Sequence, residues 1–127
     1  MFARLKNIPK DQIDNKIDEI LKFVNLSKEK KNKVASFSGG MKRRLSLAIS
    51  AIGNPKIILL DEPTTGLDPK VRQQVWQLIE KLKEGKSIIL TTHSMEEADI
   101  LADRLAVMVK GKLKCVGTSF YLKHKYG

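Results

Sequence analysis

The chain has one cysteine and an aromatic content of 6% among its 127 residues, and each scarcity removes something. A single cysteine cannot staple a fold, so stability must come from a packed core. Cys115, in the strand-like stretch Leu113, Cys115, Gly117, is expected to be a buried, inert thiol, which is consistent with a reducing compartment. No apolar run approaches the ~20 residues that span a bilayer, and the amino terminus carries no signal-peptide pattern. Any membrane connection is therefore expected through a partner or another segment. Acids are in deficit as well: 24 Lys and Arg stand against 14 Asp and Glu, a formal charge of +10. The excess is spread along the chain, nine against five in residues 1–34, five against three in 35–70 and ten against six in 71–127. Without a dense basic stripe interleaved with aromatics, no specific nucleic-acid partner is expected. The one local excess is the tail from Lys110, with five lysines and no acids. It reads as a solvated surface with some affinity for anionic headgroups.

What is present is ordinary globular material, 42% hydrophobic, with no internal repeat or low-complexity segment and no room for a second domain. Pro9 suits the first turn of a helix whose Ile13, Ile17, Ile20, Leu21 and Val24 form one apolar face. Ser27 to Lys33 reads as an exposed connection. Leu45, Ala48, Ile49 and Ile52 then recur at helical spacing until Gly53 and Pro55 stop the helix. Ile57 to Leu60 form a continuous apolar run, which predicts a strand buried on both faces of a parallel sheet. Asp68 as cap and Pro69 at the first position open a helix that turns Val71, Val75, Leu78, Ile79 and Leu82 to the core and ends at Gly85. Trp76, on the boundary of that face, reads as packing. A second strand is predicted over Ser87 to Thr92, and Ser94 with Glu97 makes a capping box for a helix through Leu101. Leu105 to Val109 and Leu113 to Val116 read as a hairpin across Lys110-Gly111.

Chemistry gathers between Phe37 and Pro69. Asp61 and Glu62 follow the apolar run at the carboxyl end of its strand, the edge of an open α/β sheet where ligands collect. One carboxylate there can hold Mg²⁺ through water while the other orients or deprotonates an attacking water, which matches phosphoanhydride hydrolysis. The plainer alternative is an acid pair at a helix start. Ser38, Gly39 and Gly40 open the preceding helix, where glycines admit an anion close to the backbone and the helix dipole favours negative charge. Its plainer alternative is N-capping by Ser38 beside a Gly-Gly hinge. A right-handed strand–helix–strand crossover would bring Asp61 and His93 to one sheet edge. An imidazole there can donate to a phosphate oxygen; the alternative is a histidine satisfied in the turn after Thr91 and Thr92.

Taken together, FSGGM, IILLDEP, TTGLD and the strand-terminal TTH resemble, in order, the second half of the nucleotide-binding domain of ABC ATPases. FSGGM resembles the family's signature motif, usually LSGGQ. IILLDE resembles its Walker B strand with the catalytic glutamate, Gly66 to Asp68 its D-loop and His93 its switch histidine. The likeness runs over essentially the whole chain, and the stretches SGGMKRRLSLAISAIGNP, MEEADILADR and GKLKCVGTSFYLKHKYG are most similar to the A subfamily of largely lipid-transporting proteins. Phe37 in place of Leu is a conservative apolar change. Met41 stands where the family usually has Gln, a change that removes a side-chain amide but leaves Ser38 and the backbone donors.

The resemblance implies an α/β fold that is part of a P-loop NTPase domain: residues 1–55 as a helical subdomain with the signature motif, and 56–127 as part of the α/β core. It also implies roles. Glu62 and His93 would be catalytic, Asp61 would position Mg²⁺, and Ser38, Gly39, Gly40, Met41 and Asp68 would bind ATP across an interface with a second nucleotide-binding domain. Transmembrane domains of a transporter would be the other partners, at the cytoplasmic face of a membrane. The pattern GxxxxGK[ST], which wraps phosphates and supplies a lysine and a Mg²⁺-binding hydroxyl, occurs nowhere among the eight glycines. Asp61, Glu62 and His93 would thus serve a P-loop that these residues do not contain, and the expectation is a carboxyl-terminal part of the domain that turns over almost no ATP by itself. Two other functions fit parts of the pattern: a non-catalytic module lending its signature helix to a partner, and a soluble ABC ATPase of DNA repair or translation.

Overall fold

The computed structural model describes residues 9–126; the first eight, which the sequence reading assigns to the helical subdomain, lie outside the described residues. Two compact units divide the chain, Met1–Thr91 and Thr92–Gly127.

In the first unit, Pro9 precedes a single 3₁₀ turn, Lys10–Gln12, and α1 runs from Ile13 to Phe23. Its end is set by Asn25, which takes a left-handed backbone (φ 55°). The Leu26 amide then donates to Leu21 O at 2.8 Å and the Asn25 amide to Lys22 O at 3.1 Å, a Schellman closure that uses asparagine in place of glycine. Helix α2, Gly39–Ala51, begins at Ser38, whose Oγ accepts from the Met41 amide at 3.2 Å. Leu47 and Ala48 are its deepest residues, whereas Leu45 and Ile49 are only half-buried. The expected stripe is rotated because α2 packs against α1, β1 and the helix after β1 together, so a single-face period does not describe it. Arg44 of α2 donates to Val24 O at 3.2 Å, a cation on the carbonyl end of α1, where the helix dipole is negative.

Strand β1 is Ile57–Asp61 and β2 is Ser87–Thr91. They pair in parallel, from Ile57 opposite Ser87 to Asp61 opposite Thr91. Helix α3, Pro69–Leu82, connects them and buries Val75, Leu78, Ile79 and Leu82 as the spacing predicts, together with Trp76, which the spacing sets at the boundary, while Val71 is only half-buried. The expectation of a strand covered on both faces needs correction. Ile58 is buried, but Ile57, Leu59 and Ile89 share the other face and Leu59 is 72% exposed. Side chains alternate across a strand, and among the described residues of this unit helical cover reaches only the Ile58 side.

In the second unit, Ser94 Oγ accepts from the Glu97 amide at 3.3 Å and starts α4, Met95–Leu101. Strands β3, Leu105–Val109, and β4, Lys112–Gly117, pair antiparallel. Lys110 and Gly111 both have positive φ (48° and 72°), the requirement of a two-residue turn whose twist matches its strands. Val107 faces Cys115 while Met108 faces Leu113, so Lys114 is a bulged extra residue. Cys115 is half-buried, less enclosed than its alternation suggested.

A last helix, α5, Ser119–Tyr126, is absent from the sequence expectations, because its residues carry no apolar period. What fixes it is polar: Thr118 Oγ1 accepts from the Tyr121 amide at 3.2 Å, and Asp99 of α4 accepts from Ser119 Oγ and, at 2.5 Å, from Lys123 Nζ. The Lys123 ammonium and then the Ser119 hydroxyl hold the Asp99 carboxyl below its ordinary value of 3.8. A depressed carboxyl stabilises the fold above its unfolded pKa, and that contribution is lost as pH falls below 3.8 through the folded value. NMR titration of the Asp99 carboxyl is therefore expected to give a midpoint under 3.8 that rises in Lys123→Met. An unshifted midpoint would mean that the contact is not kept in solution.

Candidate functional site

The carboxyl end of β1 is built to present two acids differently. Asp61, the last residue of the strand, is exposed, and its Oδ1 accepts a hydrogen bond from Thr91 Oγ1, its partner across the ladder. Glu62 leaves the sheet. Its backbone lies in the left-handed region (φ 42°), a conformation that costs a residue with a long side chain ~1 kcal/mol or more. Holding it there, the Glu62 amide donates to Thr91 O at 3.1 Å and to Thr91 Oγ1 at 3.2 Å, and Pro63 behind it is fully buried. Glu62 Oε2 also accepts from Thr65 Oγ1 at 3.0 Å. The acid pair thus ends a strand and starts no helix. Thr91 and Thr65 are neighbours of the acid pair that sequence reasoning missed; for Thr91 the signal was the register, which sets it beside Asp61 once the strands are parallel.

Ser38 does cap its helix, so the plainer reading of that residue is correct as far as it goes. The cap uses the Met41 amide and leaves the amides of Gly39 and Gly40 as first-turn donors without a helical acceptor. A Cβ on Gly39 would meet nothing within 4 Å, so an anion can approach the backbone there, and the Ser38 hydroxyl retains its proton to donate. Asp68 caps in the same way, its Oδ2 accepting from the Val71 amide at 3.1 Å. The structure brings Asp61, Glu62, Thr65 and Thr91 together at one strand tip. It also brings the first turn of α2 against the first turn of α3, where Gly40 meets Val71. His93 is exposed and belongs to the second unit, in the turn before α4, where Thr92 Oγ1 accepts from the Ser94 amide at 3.0 Å.

Chemically, the strand tip suits a hydrated divalent cation held by one carboxylate. Among the described residues no group of three or more His, Cys, Asp or Glu could enclose a metal. Mg²⁺ needs no such cage, since one or two carboxylates, water and substrate phosphates suffice. Among the described residues, too, no helix is long and apolar enough to cross a membrane.

Residues 1–99 match the family model described as "AAA domain, putative AbiEii toxin, Type IV TA system". ABC transporter A family member 2 of Arabidopsis thaliana is 53% identical over 127 residues, 100% of this chain and 13% of the relative. A family member 9 of Dictyostelium discoideum is 50% identical over 126 residues, 99% of this chain and 15% of the relative. A solved ATP-binding cassette of an ABC transporter superposes with a TM-score of 0.78 at 27% identity, over 87% of this chain and 45% of the other. The chain thus spans about an eighth of the length of its curated relatives, and its α/β fold is that of part of an ABC ATPase. With this AAA-domain model matched over residues 1–99 and the likeness to ABC transporters running along its whole length, the chain belongs to the nucleotide-binding domains of ABC transporters.

Proposed function

We propose that this chain works in the ATP hydrolysis that drives a lipid-moving ABC transporter, by supplying a signature cradle to one nucleotide and catalytic acids to another. In this reading residues 1–55 are the helical subdomain and 56–127 part of the α/β core. The observation that carries it is the strand tip, where Asp61 and Glu62 are adjacent in sequence but held in different backbone states by Thr91. The exposed Asp61 carboxylate would hold a hydrated Mg²⁺ through water, and the Glu62 carboxylate, which accepts from Thr65, orients an attacking water and accepts its proton. Mg²⁺, when bound, neutralises charge on the β- and γ-phosphate oxygens of ATP. Ser38 Oγ and the Gly39 and Gly40 amides donate to the γ-phosphate of ATP gripped by the P-loop of a second nucleotide-binding domain, beside Met41. Asp68 links the two sites, and His93 donates to a phosphate oxygen. Transmembrane domains at the cytoplasmic face of a membrane are the further partners.

Both halves of this reading meet in one experiment. The 127-residue chain alone is expected to show almost no ATP turnover, since no GxxxxGK[ST] occurs in it, and to bind a P-loop-bearing nucleotide-binding domain when ATP is present. Stoichiometric turnover by the pure chain, abolished by Glu62→Gln, would overturn the first half. Association unaffected by ATP would overturn the second.

A further inference from the structure

We infer that Val71 is a positioning residue for the phosphate-binding start of α2, acting through Gly40; this rests on the reading of Ser38 to Met41 given above. The two neighbouring glycines do different work. Gly39 bares backbone, whereas a Cβ on Gly40 would lie 2.6 Å from Val71 Cγ1 and 3.4 Å from Val71 Cγ2. Real Cβ atoms do not tolerate the shorter distance, so some atom must move. Valine cannot swing aside easily, because its branched Cβ leaves one strongly preferred rotamer in a helix. Nor can its backbone yield freely, since its amide is held by Asp68 Oδ2 at 3.1 Å and the next, that of Arg72, donates to Asp68 O at 2.9 Å.

The first turns of α2 and α3 are therefore in van der Waals contact, each locked by its own cap, Ser38 on one and Asp68 on the other. Packed interiors pass such a contact on as rigid displacement. The Ser38 hydroxyl, the Gly39 amide and the Asp68 carboxylate are thereby carried on one stiff element, and the bulk of residue 71 sets the spacing between them. Separate motifs in the sequence, they are one part in the fold. Neither helix moves at this end without the other.

The test reads the ATP concentration that gives half-maximal association of the 127-residue chain with a P-loop-bearing nucleotide-binding domain. Gly40→Ala is expected to raise it by about tenfold, measured at a temperature well below the lowered unfolding midpoint of the variant, and Val71→Ala in the same chain to bring it back to within about threefold of the parent. A merely structural contact would lower the midpoint and leave the ATP requirement of the folded chain unchanged. A harmless Gly40→Ala, or a loss that persists in the double variant, overturns the inference. Ser38→Ala separates its failure from that of the underlying reading: its loss is expected to persist with Val71→Ala, and if Ser38→Ala is itself harmless the phosphate role of the helix start is wrong. Should Gly40→Ala not fold, Val71→Ile crowds the same gap from the other side. It is expected to raise the ATP requirement, and no rise would count equally against the inference.

Discussion

Glu62→Gln in the intact transporter is expected to lower ATP turnover by ~10²–10⁴-fold, the range of a lost general base, while ATP still binds. The substitution keeps the shape of the side chain and an oxygen for Thr65 Oγ1 to donate to, but an amide cannot accept the proton of an attacking water. The backbone hydrogen bonds from Glu62 to Thr91 involve no side-chain atom of Glu62, so the strand tip keeps its form. Turnover and nucleotide affinity measured on the same preparation separate the outcomes. A loss confined to affinity would place Glu62 among the binding groups, and turnover within a few-fold of the parent would remove it from the chemistry.

The second large effect is on stability. Ile79→Ala removes a side chain that is 1% exposed in α3, and such truncations cost ~2–5 kcal/mol. Domains of this size have total stabilities of only ~5–15 kcal/mol, so the variant is expected to unfold at much lower urea. Trp76, buried in the same helix, supplies the fluorescence signal. The same truncation at Leu59, on the open face of β1, is expected to change stability by no more than ~0.5 kcal/mol. Equal losses at the two positions would show that the open face is covered in solution.

How much of this was legible beforehand depended on the kind of signal. The α3 segment was legible because Asp68-Pro69 marks its start and its apolar residues keep a 3.6-residue period; four of the five that the period points to are buried, Val71 is half-buried and Trp76 joins them. The β3–β4 hairpin was legible through Lys110-Gly111, where both residues need positive φ. The interior of α2 was not, since a helix touched on several sides buries residues such as Leu47 that lie off the main stripe. Helix α5 was invisible because a carboxylate on α4 and a threonine cap hold it, and neither leaves a period in its own residues. Of the candidate site, the positions of Asp61 and Glu62 at a strand end followed from the apolar run Ile57 to Leu60 that precedes them. Their difference in posture did not, because it depends on Thr91, thirty residues on, which becomes a neighbour only through parallel pairing.

The open face of β1 and β2 also governs how the chain behaves as a solute. Among the described residues the sheet of the first unit has two strands, so each is there an edge with an unpaired ladder, and Ile57, Leu59 and Ile89 lie exposed beside it. Unpaired edges accept strands from other molecules, and any such encounter is second order in protein. For a preparation of these residues, concentration is therefore as much a variable of state as temperature or pH.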